Sequence, residues 1–154
     1  MTSQFDVIVC GGGLAGAAAA LAAGRLAMKV ALVAPQDPAP DGRTTALMMP
    51  SVRLLRKLGI DSAFKEHAAP LKTMRIIDDT GRLLQSPPLT FRAQEISEQA
   101  FGYNISNADL QKILTQELSH EGGIEVLNVA AEHIIYQDDC IRVTLTDGTR
   151  LEGR

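Results

Sequence analysis

Six consecutive residues restrict the fold of this chain more than any others: Gly11-Gly12-Gly13-Leu14-Ala15-Gly16, which match the pattern G-x-G-x-x-G. They follow a Val- and Ile-rich run, residues 5–10, that is typical of a buried parallel strand. The Ala-rich stretch 14–26 has strong helix propensity, and residues 29–34 resemble the first strand. A strand, a glycine turn, a helix and a strand in this order predict a βαβ unit whose two strands are parallel and adjacent.

Each glycine of the pattern has its own physical role. Gly11 permits a tight turn, Gly13 lets a pyrophosphate approach the backbone, and Gly16 lets the helix pack closely on the strand. The N–H groups that open the helix, at Leu14 and Ala15, and the positive end of the helix dipole then face the phosphates. The pattern therefore predicts a dinucleotide-binding site, against the alternative of a glycine turn before an ordinary packing helix.

The second strand ends without the carboxylate that this motif usually carries. Asp or Glu at that position accepts hydrogen bonds from the adenosine ribose, but this chain has Ala34. The missing bonds are worth about 1.5–3 kcal/mol of binding. Asp37 would reach the ribose if its loop folds back, and is otherwise a solvated loop carboxylate. Because no carboxylate repels a 2′-phosphate here, the residues alone leave NADP open as the bound dinucleotide.

The rest of the chain predicts an α/β fold, a Rossmann-like core with a small antiparallel β insertion. Helices are predicted at 50–58, stopped by Gly59, and after Ser106, whose side chain is placed to cap the helix together with Asp109. Residues 36–42 are predicted to form a proline-containing loop, and residues 74–78 and 82–85 are predicted to form a hairpin. A parallel strand is predicted at 124–129 and antiparallel strands at 134–136 and 141–146.

Composition excludes several other classes of protein. A net charge of −3 offers no basic surface for nucleic acid, and charges and glycines interrupt the apolar stretch 5–34, so no transmembrane segment or signal peptide is expected. Cys10 and Cys140 are predicted to be free thiols, Cys10 as a small buried hydrophobe, which favours a reducing, cytoplasmic location. The histidines are scattered, so no metal site is predicted. The acidic pairs Asp78-Asp79 and Asp138-Asp139 are interpreted as turn residues rather than catalytic dyads.

Three segments together resemble the group A flavin monooxygenases, and within them the ubiquinone-biosynthesis hydroxylases. Residues 6–16 are similar to the FAD-binding opening of that family, and residues 41–47 (DGRTTAL) resemble its D-x-R-x-x-A-L segment. Residues 91–95 (FRAQE) and 102–105 (GYNI) resemble the F-x-A-x-E and G-Y-x-(I/V) stretch of the ubiquinone branch. Ala34, and Asn107 at a position that is often basic, depart from the family pattern.

The resemblance implies a function as well as a fold. FAD is the implied cofactor, NAD(P)H the implied reductant, and Arg43 an implied contact to the flavin side of FAD. The implied reaction hydroxylates a polyprenylated phenol, with peripheral membrane or ubiquinone-complex association. Residues 1–154 are then expected to be the N-terminal part of the FAD-binding domain, with the second FAD motif and the substrate sheet beyond them and the catalytic residues unassigned. The alternatives are an NAD(P)-binding oxidoreductase segment and an inactive, truncated nucleotide-binding fragment.

Overall fold

A computed structural model describes residues 2–35, 42–83 and 85–154. Within these ranges the α-helices are α1 Leu14–Gly24, α2 Met49–Lys57, α3 Asp61–His67 and α4 Asn107–His120, and a 3-10 turn covers Ala93–Ile96. The strands are β1 Thr2–Phe5, β2 Val7–Cys10, β3 Val30–Val33, β4 Thr44–Met48, β5 Ala69–Leu71, β6 Thr73–Ile76, β7 Leu89–Arg92, β8 Gly102–Ser106, β9 Ile124–Leu127, β10 Ala131–Tyr136, β11 Ile141–Leu145 and β12 Arg150–Gly153.

Three layers form the core. A parallel sheet of order β2-β3-β9 lies between the helices and a four-stranded sheet of order β1-β12-β11-β10. Alternate residues of β3 serve the two interfaces, because successive side chains of a strand point to opposite faces. Val30 and Leu32 pack with the apolar residues of α1 and α4, whereas Ala31 and Val33 pack with residues of the other sheet. This central strand is wholly buried, as its continuous run of apolar residues predicts.

The predicted βαβ unit is confirmed, with two changes at its ends. Strands β2 and β3 are parallel neighbours, with Val7 opposite Val30. Residues 5–10 do not form one strand, however, since Asp6 separates β1 from β2. Its carboxylate accepts a hydrogen bond from the backbone N–H of Lys29 at 2.7 Å, at the point where the chain passes from one sheet into the next. Helix α1 ends at Gly24 rather than at residue 26, because Ala27 takes a left-handed conformation with φ of 60°.

Helices α1 and α4 lie side by side and point in the same direction. Helix α4 leads into β9, which is parallel to β3, just as α1 leads into β3. Arg25, just after the end of α1, forms ion pairs with Glu117 at 2.8 Å and Glu121 at 3.2 Å near the end of α4. The N-terminal ends of the two helices therefore meet at the opposite edge, above the carboxyl ends of the parallel strands.

Most of the other predicted elements form near their predicted positions. Ser106 caps α4, its Oγ accepting a hydrogen bond from the backbone N–H of Asp109 at 3.0 Å, as predicted. Strand β9 is parallel to β3, and β10 is antiparallel to β11. Helix α2 begins one residue earlier than predicted, and Gly59 follows it with φ of 76°.

The predicted hairpin has the wrong second strand. Strand β6 pairs with β7, which begins immediately after Pro87-Pro88, and not with residues 82–85. Asp78 makes hydrogen bonds within the longer connection. Its two carboxylate oxygens accept hydrogen bonds from the backbone N–H groups of Thr80 and Ser86, both at 3.1 Å, which ties the connection together well beyond Gly81.

The β6–β7 ribbon has one apolar and one polar face, and every residue of both strands is exposed. Met74 lies opposite Phe91 and Ile76 opposite Leu89, which gives the apolar face. The ribbon is connected to the three-stranded antiparallel sheet β4-β8-β5 by Lys72 and by residues 93–101, both at the end of the ribbon where Thr73 lies opposite Arg92.

Candidate nucleotide-binding site

The glycine turn between β2 and α1 has the backbone geometry that its sequence predicts. Gly11 has a φ of 118°, which side-chain-bearing residues rarely adopt, and its N–H donates to the carbonyl of Val33 at 2.8 Å. Gly13 is the N-cap of α1, with φ of −68° and ψ of 179°. The chain therefore leaves β2, turns sharply at Gly11 and enters the helix at Leu14.

The free space beside each glycine of the turn differs, and it indicates what each glycine does. A Cβ added at Gly13 would meet no atom within 4 Å, so this side of the turn is open. A Cβ added at Gly16 would lie 1.9 Å from the carbonyl oxygen of Gly11 and 3.4 Å from Val9 Cγ1, so helix and turn are in close contact there. Gly12 is held against the end of β3, where an added Cβ would lie 2.5 Å from the Cβ of Ala34.

The N-terminus of α1 carries no capping side chain and no acidic residue in its first turn. Backbone N–H groups at the start of a helix have no partner within the helix and concentrate the positive end of its dipole. Gly13 and Ala15 are exposed and Leu14 is half-buried. An open, uncapped helix start beside side-chain-free residues fits the diphosphate of a dinucleotide, which needs close approach and N–H donors.

The second predicted contact, Arg43, lies close to this turn. Its backbone carbonyl accepts a hydrogen bond from the N–H of Asn107, the first residue of α4, at 3.0 Å. One helical turn further along α4, the side-chain Nε2 of Gln111 donates to the carbonyl of Gly12 at 2.9 Å. Thr45 Oγ1 also bonds the side chain of Asn107. The start of α4 thus holds the glycine turn and the Arg43 segment at one edge of the fold.

Gln111 and Thr45 are residues that the sequence did not single out. Gln111 lies 99 positions from its partner Gly12, so no local pattern connects them. The sequence feature that could have pointed to Gln111 is its position in the second turn of α4, whose start was predicted from Ser106.

Ala34 lies beside the turn, as the motif requires, and its methyl group offers no acceptor to a ribose. Its N–H donates to the carbonyl of Leu127 at 2.9 Å, which extends the pairing of β3 with β9. Asp37, the alternative ribose partner, lies outside the described residues, as does most of the predicted loop 36–42.

The prediction that Cys10 is buried is wrong. Strand β2 is an edge strand of the parallel sheet, and its last residue, Cys10, is exposed. It lines a groove of about 590 Å³ together with Ile8, Tyr136 and Ile141. The neighbouring groups partly exclude water, which raises the pKa of the Cys10 thiol above its usual value. Both cysteines are free thiols.

The other polar candidates do not assemble into a site. His67, His120 and His133 lie on three different elements. In the described part of the chain, no three His, Cys, Asp or Glu side chains come together as a metal ion would require. Asp78 has the turn role that was predicted for it.

Parts of two segments with family resemblance, residues 44–47 and 102–105, pair in one sheet next to the glycine turn. Strand β4, which follows Arg43, pairs with β8 so that Thr44 lies opposite Ser106. Gly102, at the start of β8, has no room for a side chain, because an added Cβ would lie 2.2 Å from the carbonyl oxygen of Leu47. These two segments therefore depend on each other for their packing.

Comparison with known proteins identifies one family. The family model described as FAD dependent oxidoreductase matches residues 6–149. No curated protein of similar sequence was found.

Many solved structures have similar folds, among them the following three. They are p-nitrophenol 4-monooxygenase PnpA from Pseudomonas putida DLL-E4 (18% identity, TM-score 0.78, 99% of this chain and 40% of that one), PqsL, a probable FAD-dependent monooxygenase from Pseudomonas aeruginosa (20%, 0.72, 98% and 41%), and the flavin-dependent monooxygenase PieE in complex with FAD and substrate (18%, 0.79, 97% and 29%). These likenesses establish the fold. The chain spans about two fifths of the length of the two Pseudomonas proteins.

Among the residues that the structure describes, no helix combines the length and the apolar composition that a membrane crossing requires.

Proposed function

From the premise that this chain belongs to the FAD dependent oxidoreductase family, we propose that it binds the ADP half of FAD at the glycine turn. The observation that carries the proposal is the open face at Gly13 beside the uncapped start of α1. Closely approaching phosphate oxygens accept hydrogen bonds from N–H groups there, and the helix dipole favours their negative charge.

Each predicted contact has a place in this proposal. The N–H groups of Gly13, Leu14 and Ala15 hold the diphosphate, while Gly11 and Gly16 shape the turn and keep it close to the helix. Ala34 faces the adenosine ribose without an acceptor, which lowers the affinity. Arg43, held at the start of α4, is a permanently charged donor on the flavin side.

We further propose that the chain contributes to an NAD(P)H-dependent monooxygenase that hydroxylates a polyprenylated aromatic ring in ubiquinone biosynthesis. Bound FAD supplies the redox chemistry, and the protein supplies binding and orientation. The support for this narrower function is the resemblance of residues 91–95 and 102–105 to the ubiquinone branch. A polyprenyl substrate resides in lipid, so the proposal places the enzyme in the cytoplasm with peripheral contact to a membrane or to a ubiquinone-synthesising complex.

Ligand competition tests the proposal. Binding of FAD to the purified chain is measured by isothermal titration calorimetry, and the titration is repeated with ADP or with FMN already present as a competitor. ADP is expected to displace FAD, whereas FMN, which lacks the adenosine half, is not. FMN displacing FAD as well as ADP does would contradict binding through the adenosine side.

A second candidate function, an NAD(P)-binding oxidoreductase segment, is favoured by Ala34 alone. Without a carboxylate at this position, a 2′-phosphate meets no repulsion. Tighter retention of NADP⁺ than of FAD in the same titration would select this reading. NADH-dependent oxygen consumption is measured in parallel. We expect none from this chain alone, and retention of FAD without turnover is also the behaviour of an inactive nucleotide-binding fragment.

A further inference from the structure

We infer that Gln111 is a positioning residue that sets the direction of the glycine turn's N–H donors. The inference rests on the proposed function and deepens it. Its basis is the 2.9 Å hydrogen bond from Gln111 Nε2 to the carbonyl oxygen of Gly12, a partly buried contact between the second turn of α4 and the turn after β2.

The planar geometry of the peptide unit explains how this bond sets the direction of the Gly13 N–H. The carbonyl of Gly12 and the N–H of Gly13 belong to one planar peptide unit, and the described chain contains no cis peptide. In a trans unit the two groups point in opposite directions. A carbonyl held toward α4 therefore directs the N–H of Gly13 away from α4. The surroundings of Gly13 have room for a ligand, because an added Cβ there would meet no atom within 4 Å.

The turn needs such an anchor because glycine has little conformational preference of its own. Three consecutive glycines leave the Gly12–Gly13 peptide free to rotate at small cost. The N–H of Gly11 is fixed to Val33 at 2.8 Å, which holds the turn to β3. Gln111 provides the second attachment, from α4. With both in place the N–H donors are oriented before a ligand arrives, so binding does not include the cost of ordering them.

The donor must be a neutral N–H group at the length of a glutamine side chain. A carboxamide Nε2 donates to a carbonyl without adding charge next to the phosphate site. Glu at this position would present an oxygen to the Gly12 carbonyl and a negative charge to the diphosphate. Met would keep the length and remove the donor.

The test compares Gln111→Met and Gln111→Glu with Gln116→Met, a control on the exposed side of the same helix. Three quantities are measured: the melting temperature, the affinity for FAD, and the NMR chemical shift of the Gly13 amide in the ligand-free protein. We expect Gln111→Met to weaken FAD binding about 3- to 10-fold, the range of one neutral hydrogen bond, and Gln111→Glu to weaken it more. Both are expected to shift the Gly13 amide resonance, and Gln116→Met to change neither quantity.

The amide resonance separates this inference from the proposed function. If the wild-type chain binds no FAD, the proposed function fails, and the Gly13 shift in Gln111→Met still decides whether the turn is anchored. An unchanged Gly13 resonance overturns the inference, whatever happens to affinity. So does a loss of affinity in Gln111→Met that Gln116→Met reproduces. Should Gln111→Met fail to fold, the near-isosteric Gln111→Glu carries the same comparison.

Discussion

Substituting alanine at two glycines of the same turn should separate binding from folding. Gly13→Ala adds a methyl group where no atom lies within 4 Å, at a φ of −68° that alanine adopts readily. Alanine loses a little as an N-cap but restricts the unfolded chain, and the two effects are of similar size and opposite sign. We expect its free energy of unfolding to stay within about 1 kcal/mol of wild type, or about 2–4 °C in melting temperature.

Gly16→Ala should have the opposite profile. Its added Cβ would lie 1.9 Å from the carbonyl oxygen of Gly11, whereas ordinary contacts begin near 3.4 Å, and the obstacle is backbone that cannot rotate away. Overpacking of this kind costs about 1–3 kcal/mol. The melting temperature should fall by several degrees, measured by circular dichroism.

The magnitude of the binding effect follows from the lost hydrogen bonds. In the proposed binding mode, the methyl group of Gly13→Ala projects into the space through which a phosphate oxygen approaches the N–H. A hydrogen bond to a charged acceptor is worth about 1.5–3 kcal/mol. Its loss corresponds to about 10- to 150-fold weaker FAD binding, measured by isothermal titration calorimetry. Wild-type affinity in a normally folded Gly13→Ala protein would refute the placement of the diphosphate, and a Gly13→Ala protein that does not fold would refute the assignment of open space there.

Three further predictions concern single side chains. Ala34→Glu should tighten FAD binding by about 10- to 150-fold, because it restores a charged acceptor for the ribose, and should weaken NADP⁺ binding; equal changes for both nucleotides would contradict this. Alkylation of Cys10, followed by mass spectrometry, should accelerate at higher pH than alkylation of an unstructured cysteine peptide, since desolvation raises its pKa. The pKa of Asp78 is lowered first by the Thr80 hydroxyl and then by the backbone N–H groups of Ser86 and Thr80. The charged form is therefore favoured in the fold. Its stabilisation is fully present above the unfolded-state pKa and is lost as pH falls through the lower folded-state pKa. Amide exchange at Ser86, corrected for intrinsic rates, should lose protection on acidification in wild type and stay unprotected in Asp78→Ala.

The parts of the fold that were predictable are those encoded locally. The βαβ unit follows from a glycine turn between apolar runs, and the start of α4 from the capping of Ser106 three residues before Asp109. Each signal lies within one turn or one helix, where sequence neighbours are spatial neighbours.

The parts that failed depend on distant residues. The partner of β6 is β7. The turn residues Asp79-Thr80-Gly81 suggested residues 82–85 instead, because a local pattern does not reveal that Asp78 also bonds the backbone of Ser86. Cys10 looked buried because a run of apolar residues does not reveal whether its strand lies in the middle or at the edge of a sheet. The bond from Gln111 to Gly12 spans 99 residues, and only the packing of α4 beside α1 brings the two groups together.

The topology around the β6–β7 ribbon implies that the core does not require an unbroken chain at this point. Every sheet that contributes to the core draws strands from both sides of this ribbon: β9 lies beside β3, β12 beside β1, and β8 between β4 and β5. Cleavage of the chain between β6 and β7 would therefore leave two fragments that are still paired through the strands of these sheets. The two pieces would remain interlocked, and the glycine turn on one piece would still meet its anchoring glutamine on the other.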